Sequence, residues 1–188
     1  MPYEKLNYFS SACFTAQQIL GEITIGSLKR FIQPALLILV SIKFIMEIFI
    51  RPISKEDALA VTTLTHQLGY PLAFEQILEN INAVRENKDH DAFVAMHDNR
   101  LIGWVGVAQA LQIESAPFCE IRGLVVDDQY RNRGVGKLLV EQAKKWGREK
   151  TNDKLRLRCN VKRTEAHLFY QHLGFKEAKQ QKVFEIEI

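Results

Sequence analysis

One segment combines glycines, basic side chains and a change from strand to helix. Residues 120–137 read EIRGLVVDDQYRNRGVGK. The hydrophobic run at 124–126 predicts the end of a strand, and a polar bend then leads into a helix. Two glycines and three basic residues surround the start of that helix: Arg131, Arg133, Gly134, Gly136 and Lys137. A helix start presents unpaired backbone N–H groups and the positive end of the helix dipole, so this arrangement predicts a pyrophosphate site.

The segment differs from two common phosphate-binding motifs. A dinucleotide-binding fold places G-x-G-x-x-G directly after a strand, and a P-loop ends in G-K-S or G-K-T. Neither pattern follows the strand here. A plainer interpretation is a glycine-containing helix start with solvated arginines, and the context of the segment has to decide between the two.

The rest of the chain supplies the elements that must position this segment. Alternating apolar residues predict strands, and apolar residues at helical spacing predict helices. We expect strands at 47–53, 91–97, 101–113, 118–126 and 154–161, helices at 54–68, 74–84, 135–146 and 164–173, and a bent strand or strand pair at 175–188. Asp98 and Asn99 predict a two-residue hairpin turn. The order β-α-α-β-β-β-α-β-α-β predicts an α/β fold with a mixed sheet and helices on both faces.

Two motifs in this context resemble those of the GNAT superfamily of acyl-CoA N-acyltransferases. The residues from Arg131 to Gly136 resemble its motif A, Q/R-x-x-G-x-G/A after a strand. Eleven positions separate Glu120 from Arg131, as they separate the general base from the same motif in histone-type members. Downstream, AHLFYQHLGF at 166–175 resembles motif B, A-x-x-F-Y-x-x-x-G-F. The resemblance runs from about residue 48 to the end and implies the GNAT fold.

The resemblance implies that acetyl-CoA is the cosubstrate. We expect no metal, because the cysteines lack metal-ligand spacing and His167 and His172 lie five positions apart. Backbone groups of Leu124, Val125 and Val126 should hold the pantetheine arm, and one amide there should polarise the thioester carbonyl. The pyrophosphate should lie on the backbone at Arg131, Arg133, Gly134, Val135, Gly136 and Lys137. Asn160 should contact the cofactor where two strands splay apart.

The resemblance also implies catalytic roles for two side chains. Tyr170 should protonate the leaving thiolate, and a phenol is a suitable donor. Glu120 is the candidate base, acting directly or through water, because an amine acceptor is cationic at neutral pH and must lose a proton before it attacks. Glu120 could instead be a solvent-facing residue at a strand edge. Tyr70, in the region where the family forms its acceptor wall, is expected to bind substrate together with Glu120.

We therefore expect an acetyl-CoA-dependent N-acetyltransferase that acts on a primary amine of a small molecule or peptide. Direct attack within a ternary complex is the usual route in the superfamily. Two alternatives stay open: an aminoglycoside N-acetyltransferase specifically, as in similar small bacterial members, and a non-catalytic acyl-CoA-binding regulatory module. A homodimer is possible, since dimers are common in the superfamily.

Composition narrows the partners and the compartment. Four of the 25 basic and two of the 22 acidic residues lie in residues 1–45, which leaves residues 46–188 a net charge of +1. This argues against nucleic acid as the main partner, because phosphate backbones require clustered positive charge. Cys13, Cys119 and Cys159 have neither metal-ligand spacing nor an even number for disulfides. We expect a reducing, cytoplasmic location.

Residues 1–45 form an N-terminal extension before the GNAT domain at 46–188. The run at 31–50, FIQPALLILVSIKFIMEIFI, has about the length of a membrane span. Lys43, Glu47 and Pro34 weaken that interpretation, and its last residues are required for the first strand. The extension is a membrane anchor, an extra helix, or upstream sequence ahead of a natural start at Met46. A membrane-associated location follows only if residues 31–50 form an anchor.

Overall fold

A five-stranded sheet forms the centre of the computed structural model, which describes residues 47–188. The strands are β1 Phe49–Pro52, β2 His90–His97, β3 Arg100–Gln112, β4 Ser115–Val126 and β5 Leu155–Leu157. They lie in the sheet in chain order. The first four are antiparallel, and β5 joins β4 in parallel.

Four helices accompany the sheet. They are α1 Ala58–Gln67, α2 Phe74–Glu86, α3 Val135–Glu149 and α4 Thr164–His172, with short 3-10 turns at Lys55–Asp57 and Asp128–Tyr130. The order β-α-α-β-β-β-α-β-α confirms the predicted α/β fold with a mixed sheet, up to its last element.

The helices cover both faces of the sheet. Trp104 packs against the buried residues of α1 and α2, while a side chain at the neighbouring Gly103 would lie 3.2 Å from Leu139 of α3. Successive residues of a strand point to opposite faces, so α3 lies on the face opposite α1 and α2. A side chain at Gly147 would also approach Cys119 of β4, at 3.1 Å.

The hairpin between β2 and β3 forms as its sequence predicts. Asp98 and Asn99 have φ angles of 46° and 61°, the left-handed values that a type I′ turn requires. His97 and Arg100 are the first pair across the turn.

The start of the first helix is fixed to β1 by a buried carboxylate. Asp57 accepts two hydrogen bonds of 2.7 Å from Arg51, and one of 2.8 Å from the backbone N–H of Ser54. Burial opposes ionisation of Asp57, but the hydrogen bonds from Arg51 and Ser54 outweigh it and hold its pKa below the ordinary value. The carboxylate therefore ties strand and helix together in its charged form.

Two predictions about the C-terminal third were wrong. Residues 175–188 form neither helix nor strand, and Val183, Phe184, Ile186 and Ile188 are 77–119% exposed. Their alternating pattern suits a strand, but a strand requires a partner for its backbone groups, and here none of the described strands pairs with them. β5 is also shorter than predicted: it ends at Leu157, and the chain turns at Asn160, whose side chain accepts from the backbone N–H of Lys162 at 2.9 Å.

The N-terminal extension lies outside the described residues, and so does most of the apolar run at 31–50. Within the described part, residues 49 and 50 belong to β1, as the first predicted strand requires. No helix within residues 47–188 is long and apolar enough to cross a membrane.

Candidate active site

The edge of β4 is open where β5 ends. β5 pairs with Cys119, Glu120 and Ile121, whereas residues 122–126 lie beyond the last pair. Among the described residues this part of β4 has a strand partner only on its β3 side. An extended ligand can therefore hydrogen-bond to the backbone of this edge. The residues predicted to hold pantetheine, Leu124, Val125 and Val126, lie on it.

The start of α3 leaves backbone donors unpaired. Gly134 precedes the helix with φ 83° and no side chain caps it. The first bond into the helix runs from the N–H of Leu138 to the carbonyl of Gly134, at 3.1 Å, so the three preceding N–H groups have no helical partner. Val135 is 1% exposed and anchors the turn in the core. A side chain at Gly134 would meet nothing within 4 Å, so the space beside this turn is open.

Ion pairs and an aromatic ring hold the loop before α3. Arg133 and Arg100 each place a guanidinium 5.5 Å from the ring centre of Tyr130. Arg100 also donates to the buried Asp127 at 2.8 Å, and Arg131 forms an ion pair with the exposed Asp128. Of the predicted basic residues, Arg131 and Arg133 are held in this loop, and Lys137 is exposed on the first turn of the helix.

Gly136 also has a packing role, in addition to the predicted one at the pyrophosphate. A Cβ at this position would lie 2.9 Å from Cζ of Phe169. Glycine therefore allows α4 to pack directly on the first turn of α3. This contact places α4, which carries Tyr170, against the first turn of α3.

Tyr170 is half-buried within an aromatic cluster. Its ring meets Phe169 and Phe175 edge-to-face, at centroid distances of 5.0 and 5.7 Å. Burial raises the pKa of Tyr170 to about 12, with a further rise from Cys159 and a smaller opposing effect from Arg163. The phenol therefore keeps its proton at neutral pH.

Glu120 is buried and held by two arginines. It is 5% exposed, which is inconsistent with the alternative of a solvent-facing edge residue. Arg122 donates to Oε2 at 2.5 Å and Arg158 to Oε1 at 3.0 Å. Each carboxylate oxygen accepts one of these hydrogen bonds, so an acceptor ammonium competes with two guanidinium groups for Glu120.

Neither of these arginines was predicted from the sequence. Arg122 lies at a bulge, where the register with β3 passes from Gly123 to Ile121, and a bulge redirects side chains. Its position two residues after Glu120 in a strand could have predicted a side chain near that carboxylate. Arg158 carries no local signal, because its approach to Glu120 depends on the parallel pairing of β4 with β5.

The segment after β5 lies beside this centre, whereas Tyr70 is not joined to it. Arg158 and Cys159 follow β5 directly, and they place consecutive side chains beside Glu120 and Tyr170 respectively. Asn160 comes next and its carbonyl accepts from His167 of α4 at 3.0 Å. Tyr70 is 62% exposed on the loop after α1, and no hydrogen bond within residues 47–188 joins its side chain to the centre.

The two described cysteines are poor nucleophiles. Burial, and then the charge of Glu120, raises the pKa of Cys119 to about 11. Burial also raises the pKa of Cys159, against a smaller effect of Arg163. Residues 47–188 contain no group of three or more His, Cys, Asp or Glu side chains placed to hold a metal ion.

Comparisons with known proteins agree with this geometry. The family model described as "Acetyltransferase (GNAT) family" matches residues 57–175. An uncharacterized N-acetyltransferase of Chlorobaculum tepidum is 30% identical over 128 residues, 66% of this chain and 73% of the relative. Aminoglycoside N-acetyltransferase AAC(6')-Iy in complex with CoA superposes with a TM-score of 0.69 at 22% identity, over 76% of this chain and 97% of that one.

A second structure of AAC(6')-Iy, in complex with the bisubstrate analogue CoA-S-monomethyl-acetylneamine, superposes with a TM-score of 0.68 at 22% identity. The match covers 76% of this chain and 99% of that one. At this level of identity the structural likeness establishes the fold, while the family match extends over both motifs. The chain belongs to the acetyltransferase (GNAT) family.

Proposed function

We propose that this protein transfers the acetyl group of acetyl-CoA to a primary amine by direct attack in a ternary complex. The observation that carries the proposal is the open edge of β4 next to the uncapped start of α3. The edge of β4 suits an extended thioester arm, and the start of α3 suits a pyrophosphate. The CoA complex of AAC(6')-Iy, which shares the fold, supports the same cosubstrate.

Backbone groups provide most of the cosubstrate contacts. Leu124, Val125 and Val126 hydrogen-bond the pantetheine arm, and one N–H of this edge donates to the thioester carbonyl oxygen. Such a donor contributes about 3–4 kcal/mol when it matches the charge of the transition state. The N–H groups at the start of α3 bind the pyrophosphate, and Arg131, Arg133 and Lys137 supply positive charge. Asn160 contacts the cosubstrate where β4 and β5 separate.

Glu120 and Tyr170 handle the protons. Glu120 removes one proton from the acceptor's ammonium, directly or through water, and passes it to solvent. The amine nitrogen then bonds to the carbonyl carbon, and the C–S bond breaks. Tyr170 gives its proton to the departing sulfur, and the second proton lost by the nitrogen returns, through solvent, to the phenolate. The products are an N-acetyl amine and a free thiol.

The thiols of this chain give further support for direct transfer. An acetyl-enzyme intermediate on cysteine would require a thiolate, and burial holds the pKa of Cys119 and Cys159 above the ordinary value. The bisubstrate complex of AAC(6')-Iy, in which one molecule combines CoA and acetylneamine, supports a site of this fold that accommodates both substrates together.

Initial-velocity kinetics test this route. With acetyl-CoA and an accepted amine varied together, double-reciprocal plots should intersect, as a ternary complex requires. Parallel lines would indicate a ping-pong mechanism, and acetylation of Cys159 found by mass spectrometry would then replace direct attack.

A further inference from the structure

Two arginines and one buried glutamate form a charged cluster at the junction of β4 and β5. Glu120 has a side chain that is 6% exposed, whereas those of Arg122 and Arg158 are 56% and 68% exposed. The carboxylate therefore lies at the bottom of the cluster and the guanidinium groups at its mouth. A ligand that approaches Glu120 meets the arginines first.

The mouth of this cluster favours an anion. Within the described residues each of these arginines gives one hydrogen bond to Glu120, out of five N–H donors in a guanidinium. A third arginine, Arg156, lies in register with Glu120 on β5, 4.0 Å from the ring centre of Phe118. The cluster itself has two guanidinium groups, of Arg122 and Arg158, and one carboxylate. Guanidinium groups bind carboxylates through paired hydrogen bonds.

We propose that the amine acceptor also carries a carboxylate next to its amine, as a free amino acid does. This inference rests on the proposed acetyl transfer and names the acceptor class. Arg122 and Arg158 bind the acceptor's carboxylate, and Glu120 binds its ammonium group. The ion pairs seen here are the same kind of pair that a zwitterionic acceptor would make with the site.

Binding of such an acceptor releases the base. When the acceptor's carboxylate takes a guanidinium, one oxygen of Glu120 loses that competing donor and accepts the ammonium proton. The freed amine then attacks as described above, with the C–N bond formed, the C–S bond broken and the sulfur protonated by Tyr170. An amine without a carboxylate leaves both ion pairs closed, and a polycationic amine is repelled by the arginines.

Matched acceptors test the inference on the full chain. Thiol release from acetyl-CoA is measured with each common amino acid and with its carboxamide, which differs only in the carboxylate. Aminoglycosides and polyamines serve as polycationic amines. We expect at least one amino acid to have a kcat/KM about 10- to 100-fold above that of its carboxamide. Intrinsic reactivity favours the carboxamide, whose amine loses its proton more easily, so the expected preference reflects the site.

Variants connect that preference to the arginines. In Arg158→Gln and Arg122→Gln the ratio of kcat/KM between amino acid and carboxamide should fall about 10- to 100-fold, mainly through KM for the amino acid. Arg158→Lys keeps the positive charge but loses the paired N–H donors of the guanidinium, so this variant should retain part of the preference for the amino acid over its carboxamide. Arg148→Gln, which removes an exposed arginine at the far end of α3, is the matched control and should keep the full ratio. Acetyl-CoA affinity, measured by calorimetry, shows whether each variant remains folded.

Three results would overturn the inference, and they differ in whether the proposed acetyl transfer is also excluded. Carboxamides or aminoglycosides that react as well as amino acids would exclude the acceptor class and leave acetyl transfer standing. Acetyl-CoA binding without acetylation of any amino acid would do the same. A chain that does not bind acetyl-CoA would exclude the proposed function together with the inference.

Discussion

At the scale of single residues, burial determines how Tyr170 can act. Its pKa of about 12 leaves the phenol protonated at neutral pH, where it can act as a proton donor. Phe169 and Phe175 surround its ring and fix the position of the hydroxyl. The same burial would make Tyr170 a poor base, which is consistent with a division of roles between Tyr170 and Glu120.

Replacing Tyr170 by Phe should therefore affect catalysis alone. The ring contacts remain and only the donor is lost, so kcat should fall about 100-fold or more, with the acetyl-CoA Kd nearly unchanged. The ratio of wild-type to variant rates should stay flat between about pH 7 and pH 10, because the phenol does not ionise there. Steady-state rates over that pH range measure kcat, and calorimetry measures the acetyl-CoA Kd. A Tyr170→Phe variant with the wild-type rate would exclude Tyr170 from the mechanism.

At the scale of elements, the start of α3 is the feature most open to a direct test. Gly134 has φ 83°, and Asp and Asn are the side chains that best tolerate such values after glycine. Gly134→Asp adds a negative charge beside the unpaired N–H groups, whereas Gly134→Asn adds the same shape without charge. We expect the acetyl-CoA Kd of the Asp variant to exceed that of the Asn variant about tenfold. Equal affinities in calorimetry would contradict a pyrophosphate at this turn.

The link between β1 and α1 predicts a pH-dependent contribution to stability. The pKa of Asp57 is lowered in the folded chain, since hydrogen bonds from Arg51 and Ser54 exceed the effect of burial. A lowered pKa contributes stability above the ordinary value of about 4, and this contribution disappears as the pH falls through the folded pKa.

Replacing Asp57 by Asn should thus lower the free energy of unfolding by about 2 kcal/mol at neutral pH, and the difference should shrink below about pH 4. Urea unfolding at several pH values measures it. Asp89→Asn, which changes an exposed carboxyl on the loop after α2, is the control and should change stability little. A constant difference across pH would show that the charge of Asp57 contributes nothing.

Local signals in the sequence predicted most of these elements. The left-handed turn at Asp98 and Asn99 and the glycine before α3 depend on residues within a few positions, so both could be read directly. Residues 175–188 have the alternating pattern of a strand. Whether a strand finds a partner depends on the whole sheet, so the local pattern could not predict that these residues stay unpaired with the described strands. The link of Arg158 to Glu120 was hidden for the same reason, since it joins residues 38 positions apart.

At the scale of the whole molecule, residues 47–188 form one compact unit that includes the family match. The predicted division at Met46 and the role of residues 1–45 remain predictions. Residues 46–188 have a net charge of only +1, so long-range attraction of charged acceptors is weak. We therefore place selection of the acceptor in the local cluster around Glu120.

The most direct test of the account is thiol release by the full chain with acetyl-CoA and a panel of amines, followed by mass spectrometry of the amine. The account predicts thiol release that requires a primary amine and matches the N-acetyl product mole for mole. Absence of both thiol release and calorimetric acetyl-CoA binding would contradict it.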